Sequence, residues 1–190
     1  MPAKAVWVST SIARFFTKFM LQKSVVMNNF FDSALLDKVG EILHARKQTI
    51  AVAESATGGF LQAAFSSIME ASRFFQGGIT AYNLGQKCRH LHVEPVSAQD
   101  CNCVSESVAA QMAAYTCNMF SSHWGLGITG YASPVPQSGG SIFAYYAIAR
   151  QGVIVAFGSA GAVSDDAMEN QLSFVRDVVK AFLQVLEKGE

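Results

Sequence analysis

The segment TIAVAESATGG, residues 49–59, constrains this chain more than any other. Ile50 and Val52 alternate with alanines in a run suited to a buried strand. The polar pair Glu54 and Ser55 ends that run, and Gly58 and Gly59 stand where a helical pattern begins. A strand, a sharp turn and a helix start set a serine hydroxyl above the end of a sheet, beside the N–H groups that a helix N-terminus leaves unpaired. Ser55 is therefore a candidate nucleophile.

The flanking pattern builds a sheet around this junction. Leu35, Leu36, Val39, Ile42 and Leu43 share one helical face before the strand, with Asp32 or Ser33 as the cap. Phe60, Ala63, Ala64 and Ile68 share another after it, which predicts a helix over 57–68. A strand leading into a helix implies a covered, mainly parallel sheet. A second strand is expected over 74–83, with a bulge or close backbone approach at Gly77 and Gly78. A short helix carrying Lys87 and Arg89 follows and stops before Pro95. Residues 92–104 read as a loop, and Ser105 caps a helix whose face holds Val108, Met112, Tyr115 and Met119. Residues 125–129 form a short strand, and the loop 130–140, with Pro134 and Pro136, falls at a strand's C-terminal end, where open α/β sheets bind ligands. A hairpin over 142–149 and 153–157 adds an antiparallel strand, and a long helix begins near Asp165.

Composition narrows the class. Of 190 residues, 51% are hydrophobic and 15% charged, with 14 basic and 14 acidic residues, which fits one domain with a large core and excludes a disordered chain. The balanced charge offers no footprint for nucleic acid, and no apolar run is long enough to span a membrane. Cys88, Cys101, Cys103 and Cys117 are too sparse for a disulfide scaffold and read as reduced thiols of a cytoplasmic protein. Their spacing with His90 and His92 matches no familiar zinc arrangement, so no metal is expected. Residues 1–26 carry Lys4, Arg14, Lys18 and Lys23 before the first acid, Asp32, with Val8, Ile12, Phe15, Phe16 and Phe19 at helical spacing. That extension reads either as an organellar transit peptide or as an added segment ahead of a domain over 27–190.

No G-x-S-x-G elbow is present, and no histidine stands in a context that pairs it with Ser55. Lysine is an established substitute base, and Lys87 lies just beyond the second strand, at the edge where Ser55 ends the first. A lysine base must be neutral, so burial has to lower its pKa while the Glu54 carboxylate points elsewhere. From the residues alone, Tyr82 reads as strand filler with its hydroxyl at the rim.

The segments AESATGGFLQAAF, FFQGGITAYNLGQK, CVSESVAAQMA and GLGITGYASP, in this order, resemble the CinA C-terminal domain family, whose standalone members include nicotinamide mononucleotide deamidases. The resemblance extends over about 31–186. It implies a three-layer α/β/α fold with a mixed, mostly parallel sheet of about five strands, and a homo-oligomer. By position it implies Ser55 as the catalytic serine, Lys87 as its partner, Tyr82 as a third site residue and Thr129 at the substrate. Backbone amides near Thr57, Gly58 and Gly59 would hold the oxyanion or the nucleotide phosphate. The implied reaction is hydrolysis of a nicotinamide carboxamide, with a nucleotide substrate and neither metal nor organic cofactor. Two alternatives are a catalytically silent CinA-like domain that binds a nucleotide or a protein, and an amidase with another substrate.

Three departures stand out. Ala56 replaces a usual cysteine, and Ser133 a usual glycine. Ser164, Asp165 and Asp166 occupy the region of a GDR-like triplet, so an acid is expected where the family places an arginine near the anionic nucleotide.

Overall fold

The structure is a computed structural model and describes residues 30–189; the basic stretch of residues 1–26 lies outside them. Five strands form one sheet: β1 (Ile50–Glu54), β2 (Phe75–Thr80), β3 (Trp124–Tyr131), β4 (Phe143–Arg150) and β5 (Val153–Gly161), in the order β2-β1-β3-β4-β5. β1 runs parallel to both β2 and β3, while β3/β4 and β4/β5 are antiparallel. Only β4 opposes the common direction, as the hairpin pattern predicts.

Helices cover both faces. On one lie α1 (Ser33–Ala45), α2 (Phe60–Ser67) and the long C-terminal helix, numbered α6 (Ala167–Lys188); Leu36, Val39, Leu43, Phe65, Phe174 and Phe182 pack there against Ile50, Val52, Leu126 and Ile148. On the other lie α3 (Leu84–Leu91), α4 (Pro95–Asp100) and α5 (Glu106–Met119), whose Leu91, Val108 and Met112 pack with Ala53 and Ala81. The sheet is the middle of three layers, and β1, buried along its whole length, lies inside it between β2 and β3. Burial on both faces explains why β1 is apolar without alternation.

Helix α5 approaches β3 unusually closely. A Cβ at Gly127 would stand 2.3 Å from the Ala109 carbonyl oxygen, and one at Gly125 would stand 2.2 Å from that of Ala113, so only glycine fits there. The β1/β2 register slips between Ile50 and Ala51, opposite Phe75 and Gly77. That is the bulge expected at the glycine pair.

Two boundaries differ from expectation. The predicted loop 92–104 contains α4, because Pro95, read as a stop, occupies the first turn and Glu94 caps it through the N–H groups of Val96 and Ser97. The helix predicted over 57–68 begins only at Phe60, because Gly58 and Gly59 hold left-handed conformations (φ 62° and 115°) that belong to the turn.

Candidate active site

The C-terminal ends of β1 and β3 open into a cavity of about 380 Å³, with the first residues of α3 and α6 and the 131–137 loop among its walls. Ser55 follows directly from β1 and Lys87 projects from α3. Lys87 Nζ donates to Ser55 Oγ at 2.9 Å. The two residues are 32 positions apart in sequence and both are buried, with Ser55 6% and Lys87 2% exposed. Burial in apolar surroundings penalises the ammonium and pushes the Lys87 pKa down, while the nearby Cys103 thiol acts weakly in the opposite sense. Desolvation also pushes the Cys103 thiol up, against a smaller lowering by Lys87.

Glu54, next to the serine, is fully buried yet turned to another task. Its carboxylate accepts from the Thr57 hydroxyl, from the N–H groups of Leu61 (3.0 Å) and Gln62 (3.1 Å), and from Gln62 Nε2 (2.8 Å). It therefore sits on the positive end of α2, where an acid is stabilised by the helix dipole and by charge-assisted bonds. The acid whose proximity would hold Lys87 protonated is thereby engaged elsewhere, as a working Ser–Lys pair requires.

Thr129, near the end of β3, lines the cavity and donates its hydroxyl proton to the Cys103 carbonyl oxygen at 2.7 Å. The bond ties β3 to the segment before α5, and the threonine oxygen keeps acceptor capacity toward the cavity. Tyr82 also lines the cavity but is 71% exposed, at its rim. Thr57, Gly58 and Gly59 do not line it. The Gly58 N–H closes a turn onto the Ser55 carbonyl at 3.1 Å, and the first free amides of α2 are occupied by Glu54. The structure thus brings Ser55, Lys87, Tyr82 and Thr129 to one cavity and leaves Thr57, Gly58 and Gly59 behind the turn.

Several residues that sequence reasoning passed over shape the site. Gln171 Nε2 donates to the Ala56 carbonyl at 2.9 Å, so α6 braces the residue after the serine. Asn170 is fully buried: its oxygen accepts from Val163 and Ser164 N–H, and its amide donates to the Ala132 and Ser164 carbonyls. Asn102 Nδ2 donates to the Tyr131 hydroxyl at 2.8 Å. Consecutive amides on a helix face carry no recognisable motif; only the fold shows what Asn170 and Gln171 bind.

The expected acid in place of a cation takes a different form. Neither Asp165 nor Asp166 lines the cavity. Asp166 caps α6 by accepting from Glu169 N–H at 2.9 Å, and both aspartates are exposed. The cavity wall at this point is Ala167. The substitution leaves a neutral wall instead of a reversed charge, because the acids are drawn to the outer side of a helix N-terminus.

The ordered motifs, the mixed sheet and the cavity at its strand ends together identify the lineage. A profile described as the CinA C-terminal domain matches residues 32–186. The chain belongs to the CinA C-terminal domain family. A CinA-like protein of Picosynechococcus is 46% identical over 96 residues, 50% of this chain and 23% of that protein. A second, from Crocosphaera subtropica, is 41% identical over 103 residues, 54% of this chain and 25% of that protein. The matched stretch is thus about a quarter of the length of these curated relatives. Among solved structures, a competence-damaged protein (CinA) superfamily member from Escherichia coli superposes with a TM-score of 0.74 at 25% identity, over 80% of this chain and 88% of that one. The competence damage-inducible protein A of Klebsiella pneumoniae shares the fold with a TM-score of 0.78 at 22% identity, over 83% of this chain and 98% of that one. No described helix is long and apolar enough to cross a membrane. Among the described residues, no cluster of three or more His, Cys, Asp or Glu side chains is arranged to hold a metal ion.

Proposed function

We propose that this CinA-like protein is an amidohydrolase of the nicotinamide mononucleotide deamidase type, working through Ser55 and Lys87. The observation that carries the reading is the buried 2.9 Å contact between Ser55 Oγ and Lys87 Nζ, in a cavity large enough for a small ligand. Burial lowers the Lys87 pKa and so favours the free amine, the form that can accept the Ser55 proton at this separation.

Water is the one co-reactant. Ser55 Oγ bonds to the carboxamide carbon as its proton passes to Lys87 Nζ. The tetrahedral intermediate collapses, the C–N bond breaks, and the Lys87 ammonium returns the proton to the leaving nitrogen, which departs as ammonia. Water then attacks the acyl ester as its proton passes to Lys87 Nζ, the bond from the acyl carbon to Ser55 Oγ breaks, and Lys87 returns that proton to Oγ as the carboxylic acid leaves. The oxyanion needs a donor in a water-poor setting. Ala56 lines the cavity directly after the nucleophile, and among the described residues its N–H has no protein acceptor, which suits it to that role.

The silent-binding alternative would draw support from a serine and lysine too far apart to bond, and their contact removes that support. Incubation of the purified protein with nicotinamide mononucleotide, with ammonia as the readout, tests the proposal. Release no greater than from a Ser55→Ala control would sink it.

A further inference from the structure

The cavity's chemistry narrows the substrate further. Among the described residues that line it, Lys87 is the only one with a charged side chain. That amine is bonded to Ser55 and driven toward its neutral form, so it cannot serve both as base and as a fixed cation for a phosphate. The remaining polar lining consists of amides and hydroxyls, chiefly Asn83, Asn102, Gln137 and Gln171 with Tyr82 and Tyr131.

Helix N-termini are the usual alternative home for a phosphate. That of α2 already holds the Glu54 carboxylate. That of α6 carries the Asp166 carboxylate as its cap, with Asp165 and Glu169 exposed in the same turn, so a phosphate placed there would meet like charge. α3 opens with the neutral cap Asn83, whose side chain accepts from Gln86 N–H. A single helix end offers only about half a positive charge, far short of what a phosphate dianion presents. Neutral amides and tyrosines at a cavity mouth are suited instead to hydroxyl groups and flat rings, which hydrogen-bond and stack without demanding a counter-charge.

We propose that, among the carboxamides this site can hydrolyse, it prefers an unphosphorylated one about the size of a nucleoside over its phosphorylated counterpart, with the hydroxyl and ring groups held by the amide-lined wall. The inference rests on the Ser55–Lys87 amidase reading for its chemistry but not for its binding preference. The two are separated by measuring binding and turnover independently.

In the Ser55→Ala protein, nicotinamide riboside and nicotinamide mononucleotide, which share the carboxamide and differ in the phosphate, are compared by calorimetry. At least a tenfold tighter binding of the riboside is expected. Equal binding, tighter binding of the mononucleotide, or binding of neither at millimolar concentration would overturn the inference. In the wild type, ammonia release should favour the riboside by a similar factor in kcat/KM. Binding of the riboside without any ammonia release would remove the amidase reading while leaving the recognition claim standing. Ala167→Arg places a cation on the neutral wall and should move the binding ratio toward the mononucleotide by about tenfold. An unmoved ratio in a folded Ala167→Arg protein would overturn the role given to that wall.

Discussion

The two sides of the cavity are built by opposite rules. At the ends of β1 and β3, polar groups are buried and paired: Lys87 with Ser55, Thr129 with the Cys103 carbonyl, and Glu54 with the first turn of α2. Where α6 begins, the charged groups are exposed and turned outward, and the surface left to the cavity is Ala167 and the Gln171 amide. The first side holds reactive groups in fixed relation, because a buried polar atom without its partner is costly. The second carries little constraint on its charge, since residues that bind solvent or cap a helix can change at small cost. Chemistry and recognition can therefore diverge in one cavity.

The largest effect should come from the catalytic side. Ser55→Ala is expected to lower amide hydrolysis by about 10³- to 10⁶-fold with the fold intact by circular dichroism. Residual activity near wild type would break the comparison at its root.

Lys87→Met should cost about 10²- to 10⁴-fold in kcat. Lys87→Arg should not rescue it, because a guanidinium stays protonated and cannot act as a base. In the wild type, kcat/KM should rise with pH through the depressed Lys87 pKa and then level off, and this limb should vanish in Lys87→Met. Stability should move in a related way. Because the folded-state pKa lies below the ordinary 10.5, the unfolded chain binds more protons between the two values, so stability rises with pH across that window. Below it the desolvation penalty is fully present. Lys87→Met should therefore be more stable than wild type at neutral pH by denaturant titration, with the gap closing as pH approaches 10.5. A gap that widened with pH would contradict the burial account.

A smaller effect is expected where the two sides join. Asn170→Ala removes the acceptor for Val163 and Ser164 and the donor to Ala132, all inside the fold. A loss of about 2–4 kcal/mol is expected in urea unfolding. KM should rise more than kcat falls, since the loop beside Ala132 moves while Ser55 and Lys87 keep their contact. The reverse split would place Asn170 with the catalytic side.

The smallest effect belongs to Asp166→Ala. Loss of a helix cap should cost about 1 kcal/mol by thermal unfolding, with turnover of an unphosphorylated amide nearly unchanged. A large loss of turnover would show that the aspartate faces the substrate after all.

Much of this was legible in the residues, and unevenly so. The junction at Ser55 showed itself because strand, turn and helix each impose a different local pattern on adjacent residues. Lys87 was legible as a candidate because a base must reach the same sheet edge. Helix α4 was missed because Pro95 means both stop and start in isolation, and the cap at Glu94 decides which. Asp165 and Asp166 were misplaced for a related reason: sequence located them near the site but gave no direction, and the direction of an acid at a helix start is set by the free N–H groups it finds.

By itself, then, the sequence determined a covered α/β sheet and a serine and a lysine worth bringing together, because periodicity and turn chemistry are local properties, while four motifs in order carried the resemblance to the family and its layered fold. Only the tertiary structure decided that those two groups meet, that Glu54 turns away from them, and that the opposite wall is neutral. The first joins polar atoms 32 residues apart, and the other two turn on which free helix N–H groups an acid finds, so each is settled by the arrangement of side chains in space.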